Sequence, residues 1–109
     1  MILFKQYHAD LILAGTKTQT RRKGKKRWTL GKVYQAKVSY MAKPFAWLKV
    51  TAIWQERLGA MTDEDAVAEG YTRRAHYFNV FESIYGDADM QQLVWVLVFK
   101  RVPAPQPAP

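Results

Sequence analysis

The sequence predicts an α+β fold, a small β-barrel with flanking helices, and three observations point to it. Strand-like segments occupy both ends of the chain, helical patterning takes over between Met61 and Tyr85, and the last strand-like run is apolar on both faces. With 109 residues, 49% of them apolar, the chain is the length of one domain and can bury a core.

In chain order, Met1–Phe4 reads as a short strand leading into a helix over Gln6–Ala14. Tyr7, Leu11 and Ala14 recur on one face of that helix, and Gly15 supplies its stop. Thr16–Arg22 is rich in β-branched threonine and reads as extended, which places Lys17 and Thr20 on opposite faces of an ideal strand. Gly24 and Gly31 mark loop or turn positions. Gly31–Val38 and Phe45–Gln55 follow as strands. In the second, Leu48, Val50, Ala52 and Trp54 share an apolar face expected to point inward. Thr62 and Asp65 have capping-box spacing at the start of a short helix, Asp63–Glu69, which Gly70 ends. A second helix runs over Arg73–Tyr85 with Thr72 as its cap and Phe78, Phe81, Ile84 and Tyr85 on one stripe. Leu93–Phe99 (LVWVLVF) is a strand inside a sheet. Residues 103–109, PAPQPAP, suit a disordered, polyproline-like tail beyond a single domain over 1–102.

Charge is distributed unevenly. The net +8 comprises +11 over residues 1–55, −5 over 56–89 and +2 over 90–109, which predicts a basic face for a polyanion. The absence of cysteine excludes disulfides, thiolate metal sites and a cysteine nucleophile. His8 and His76 are far apart in sequence and lack ligand-like neighbours, so no metal is expected. No glycine-rich phosphate loop occurs and no cofactor is expected. No apolar run is long enough to span a bilayer, and the interrupted N-terminus is a poor signal peptide; a cytoplasmic protein with no membrane partner is the expectation.

The stretch GTKTQTRRKGKKR, residues 15–27, carries seven cations in thirteen residues. Arg21, Arg22, Lys23, Lys25, Lys26 and Arg27 with Trp28 combine phosphate-binding charge and one stacking surface, suited to single-stranded RNA. The competing reading is a solvated loop. Lys17, Thr18 and Thr20 could bind a phosphate or a polar base edge, and a desolvated Lys17 could serve as a base. Their competing reading is an exposed edge strand. Glu69 is a carboxylate at a helix C-terminus, where the macrodipole favours cations, which marks it as a candidate site residue; its competing reading is a solvated side chain.

The order Ile12-Leu13-Ala14-Gly15, Lys17-Thr18, Thr20 and Arg22, then Gly31-Lys32-Val33-Tyr34, then Met61-Thr62, Glu64-Asp65-Ala66 and Glu69-Gly70-Tyr71, then a Val-Trp-Val strand ending in Phe, resembles the ASCH domain family from about Phe4 to Val102. The resemblance implies a PUA-like β-barrel, from a superfamily associated with RNA binding, with a cleft beside the helix that bears the Gly-x-Lys-Thr turn. It also implies a possible activity, because some small bacterial members are amidohydrolases that deacetylate acetylcytidine through a Lys, a Thr and a Glu. By motif these match Lys17, Thr20 and Glu69. Two readings therefore stand: an RNA- or nucleotide-binding domain, and an amidohydrolase. RNA cleavage by Lys17 with a Tyr or His is a weaker third, with no motif behind it.

Overall fold

In the computed structural model, which describes residues 1–105, the elements follow the predicted order. They are β1 (Ile2–Leu3), α1 (Gln6–Leu13), β2 (Gln19–Arg22), β3 (Val33–Lys37), β4 (Ala46–Arg57), α2 (Asp63–Glu69), α3 (Arg74–Tyr85) and β5 (Leu93–Val102). The five strands form one sheet in the order β1-β3-β4-β5-β2, curled into a half-barrel. The β1–β3 pairing is parallel and the other three are antiparallel. Residues 103–105 lie in neither helix nor strand, and the rest of the expected disordered tail, 106–109, falls outside the described residues. Among the described residues no helix is long and apolar enough to cross a membrane.

The backbone of the sheet is the long β4–β5 pair, and β5 lies between β4 and β2 as its two-faced apolar sequence predicts. The expected inward face of β4 holds only as far as its bulge. Leu48 and Val50 are buried, but the register shifts between Val50 and Ala52. The extra residue reverses the alternation. Ile53 then packs against the core and Trp54 is exposed, opposite to the simple period-two reading.

Two hydrophobic clusters result. One fills the half-barrel with Ile2, Phe4, Ile12, Trp28, Leu48, Val50, Leu97 and Phe99. The other joins α2 and α3 to the sheet through Leu58, Met61, Ala66, Tyr71, Tyr77, Phe81 and Val94. Both halves of the capping box form, with the Asp65 amide donating to Thr62 Oγ1 at 3.1 Å and the Thr62 amide to Asp65 Oδ2 at 3.0 Å. Thr72 does not cap α3, which starts at Arg74. Instead the Arg74 amide donates to Asp63 Oδ1 of the preceding helix at 3.0 Å.

Candidate functional site

The site begins with two glycines. Gly15, at φ 82°, lets the chain leave α1 and fold back so that the amides of Thr16 and Lys17 both donate to the Leu11 carbonyl. Gly70 ends α2 at φ 101°, and a Cβ there would lie 2.6 Å from Leu11 Cδ1. The positive φ favours glycine there, and a Cβ would also push the Leu11 side chain aside. The end of α2 is thereby pressed against α1, and Glu69 meets Lys17.

The Lys17 ammonium donates to the Glu69 backbone carbonyl at 2.7 Å and to Glu69 Oε1 at 3.0 Å. One cation thus satisfies the helix C-terminus and the carboxylate placed against the dipole. Glu69 Oε2 accepts from Arg21 Nη1 at 2.9 Å. Arg21 also reaches Glu56 Oε1 from Nη2 at 2.8 Å, Gln19 Oε1 from Nη1 at 2.9 Å, and Asp65 Oδ2 at 3.4 Å. Lys17, Arg21 and Glu69 are all buried, and their mutual pairing offsets a large desolvation cost. Burial pulls the Lys17 ammonium below its ordinary pKa, against the opposing pull of Glu69. Burial also acts to lower Arg21, but Glu69 and Glu56 outweigh it and hold its pKa above the ordinary value.

Thr20 is buried on β2, and its Oγ1 accepts from Arg22 Nε at 3.1 Å. Arg22 donates from Nη2 to the Leu3 carbonyl at 2.8 Å and stacks 4.9 Å from the Phe4 ring centroid. These contacts tie β2 to β1, the two edge strands of the sheet, across the open side of the half-barrel. Lys17 precedes β2 rather than lying on it, so the opposite-face expectation for an ideal strand does not apply. Lys17 and Thr20 line one cleft.

That cleft has a volume of about 280 Å³ and lies between the two hydrophobic clusters. Lys17, Thr20, Arg22 and Glu69 line it together with Tyr71, Tyr77, Phe81 and Tyr85. Its charged lining is four cations, Lys5, Lys17, Arg21 and Arg22, against the single carboxylate of Glu69.

The remaining sequence-predicted residues divide sharply. Lys23, Lys25, Lys26 and Arg27 are exposed, and none has a carboxylate partner among the described residues. Trp28 offers no stacking surface. It is buried in the barrel cluster, because the chain turns inward as soon as the charged loop ends. Arg21 is likewise not a free phosphate contact, its guanidinium being engaged by acids and Gln19. The Thr18 side chain is exposed, and its backbone instead joins two elements: its amide donates to the Ala68 carbonyl at 2.8 Å and its carbonyl accepts from the Phe99 amide at 3.1 Å. Sequence reasoning missed Glu56, and it gave Asp65 only a helix-capping role. Both are partners of Arg21 from distant elements, which no local pattern announces. It also missed His8, Tyr71 and Tyr77 on the cleft wall; only the position of Tyr71 directly after Glu69-Gly70 was a clue.

Solved structures share the fold that holds this site. An ASCH domain from Lactobacillus crispatus matches with a TM-score of 0.71 and 18% identity, over 86% of this chain and 69% of its own. This chain has the ASCH fold. An Enterococcus faecalis protein of family DUF984 matches with a TM-score of 0.72 and 16% identity, over 92% of this chain and 74% of its own. The ASCH protein of Zymomonas mobilis matches with a TM-score of 0.65 and 15% identity, over 92% of this chain and 67% of its own. No family model matches the sequence, and no curated protein matches it. The ASCH fold is therefore carried here by a sequence far from those of its structural neighbours.

Proposed function

We propose that this ASCH fold binds RNA or a nucleotide, with one nucleotide in the cleft and the adjoining phosphates on the loop over residues 23–27. The observation that carries this reading is the continuity of loop and cleft. Lys23 lies 5.5 Å from the ring centroid of Tyr85, and Tyr85 is itself a wall of the cleft. A ligand seated between the tyrosines and Arg22 therefore runs directly onto unpaired cations. The volume is at the small end of ligand pockets, which span about 300–1,000 Å³, and suits one base or nucleoside rather than a stacked strand. Aromatic walls with cationic donors match the way proteins hold unstacked bases.

Binding to a short single-stranded RNA, followed by fluorescence anisotropy across salt concentrations, tests it. About −0.7 in log–log slope is expected per phosphate neutralised, hence about −3 for four loop cations. Replacing Lys23, Lys25, Lys26 and Arg27 with Gln should flatten that slope. RNA affinity indifferent to salt would sink the reading.

A second reading, an amidohydrolase, is favoured by the meeting of Lys17, Thr20 and Glu69 at one cleft. Thr20 Oγ would attack the amide carbon of an acetylated cytosine and Arg22 would stabilise the developing alkoxide. Burial lowers the Lys17 pKa, and the neutral amine form of Lys17, held in place by Glu69, would receive the hydroxyl proton. The C–N bond then breaks as Lys17 passes that proton to the leaving amine, and water hydrolyses the acetyl ester to release acetate and restore the Thr20 hydroxyl. Acetate release from acetylcytidine, abolished in Lys17→Ala, Thr20→Ala and Glu69→Ala, is the expected outcome. Absence of turnover in the unaltered protein removes this reading and leaves binding.

A further inference from the structure

His8 faces the cleft from α1, and none of the roles above uses it. Its Nε2 lies 2.9 Å from the Tyr71 hydroxyl. Its Nδ1 is buried with no hydrogen-bond partner among the described residues. Such atoms are rare in native proteins and call for a partner that the protein alone does not provide. Tyr7 and Tyr71 pack edge-to-face on the ring, at centroid distances of 5.3 and 5.5 Å.

The hydrogen bond of this pair can run in either direction, and its direction decides which nitrogen of His8 carries the hydrogen. The Tyr71 hydroxyl has His8 as its one hydrogen-bond partner among the described residues, and with the phenol as donor its proton lies on the line to Nε2. Burial pushes Tyr71 up to about 12, with Glu69 and Tyr7 adding to the effect, so the phenol keeps that proton. Burial, then Lys17, Arg22 and Lys5, hold His8 down to about 4, so the ring is neutral at pH 7. A neutral imidazole that accepts at Nε2 is a donor at Nδ1.

We propose that His8 is a specificity-determining residue of the cleft, its tautomer fixed by Tyr71 so that Nδ1–H donates to an oxygen acceptor of the ligand. The acceptor is a base carbonyl or a phosphoryl oxygen. An amino group at that point would meet the Nδ1–H donor head-on and be disfavoured against an oxygen. This assignment deepens the nucleotide reading above and rests on it.

The tautomer is read from the ring ¹⁵N shifts of the full chain at pH 7 before any ligand is added. His8 is expected to show a protonated Nδ1 and a bare Nε2, and Tyr71→Phe should shift it towards the Nε2–H form. Uridine 5′-monophosphate should then move the Nδ1 resonance. Its binding should weaken about five- to tenfold in His8→Phe, the loss of one neutral hydrogen bond, with no change in salt slope. His8→Asn, whose amide nitrogen can stand where Nδ1 does, should recover part of the affinity, and thermal melts confirm that each variant is folded. Uridine and ribose 5-phosphate added separately identify the acceptor, since the one that moves Nδ1 carries it. A hydrogen on Nε2 in the free protein, or a charged ring at pH 7, overturns the proposal alone. So does a folded His8→Phe that binds the nucleotide as tightly as the unaltered chain. If the unaltered chain binds none of the three probes, the nucleotide reading and this contact fall together, whatever the tautomer.

Discussion

Between Gly15 and Arg27 the chain places seven cations, and the structure treats the first three differently from the last four. Lys17 and Arg21 are buried and Arg22 is half-buried, each with protein oxygen atoms as partners. Lys23, Lys25, Lys26 and Arg27 stand in solvent, where Lys23 and Lys26 lie over the rings of Tyr85 and Trp95. The same residue types therefore do two kinds of work. The buried ones fix geometry, because an unpaired charge inside the protein is too costly to leave unanswered. The exposed ones fix little and act through the field they project, which salt screens.

Removing the shared anion should produce the largest difference between the two groups. Glu69→Ala leaves Lys17 with only a backbone carbonyl and deprives Arg21 of one of its carboxylates. A loss of about 3–5 kcal/mol in urea denaturation is expected, as for breaking a buried pair. Adding Lys17→Met should restore much of it, since a buried ion pair is often no more stabilising than apolar residues of similar volume. A loss under about 1 kcal/mol would mean that water reaches the pair and that Lys17 is not desolvated.

Arg22→Lys is the next largest. A lysine can still reach the Leu3 carbonyl but has neither the planar face over Phe4 nor the Nε donor to Thr20. The expected cost is about 1–2 kcal/mol, combining one hydrogen bond and one cation–π contact. If the substitution is neutral, the link between β1 and β2 does not depend on the guanidinium.

Replacing Lys23, Lys25, Lys26 and Arg27 together with Gln should leave stability within about 0.5 kcal/mol, the usual range for surface changes. The same variant should lose RNA affinity, most strongly at low salt. Four charges that matter to binding and not to folding would be the sharpest confirmation of the contrast. A large fall in thermal stability would show instead that the loop's aromatic contacts hold the fold.

The sequence disclosed much of this division, for physical reasons that can be traced. Gly15 and Gly70 are local signals for helix ends, and those ends bring Lys17 and Glu69 together. Glu69 was legible as an anomaly because the macrodipole disfavours it, and the structure answers with Lys17 and Arg21. Trp28 was not legible, since a tryptophan after a charged run reads equally as a stacking platform or a core residue until the chain's path is known. Nor was the β4 bulge, because Thr51 breaks no propensity rule. Glu56 and Asp65 could not be assigned to Arg21, as they meet it only through the packing of β4 and α2 on β2.

Thr18 gives the smallest expected effect and the finest test. It lies between Lys17 and Gln19, at the centre of the motif, yet its side chain is exposed and makes no hydrogen bond among the described residues. Thr18→Ala should therefore change stability by no more than a few tenths of a kcal/mol and leave nucleotide affinity as it was. Its backbone has the opposite standing. The amide is bonded to the last turn of α2 and the carbonyl to β5, so this residue holds α2 to the sheet directly beside the Lys17–Glu69 pair. Thr18→Pro removes the amide donor and should reproduce part of the Glu69→Ala loss without touching a charge. A proline variant as stable as the alanine variant would mean that the ion pairs alone keep α2 in place, and that the buried cations anchor the helix without help from the main chain.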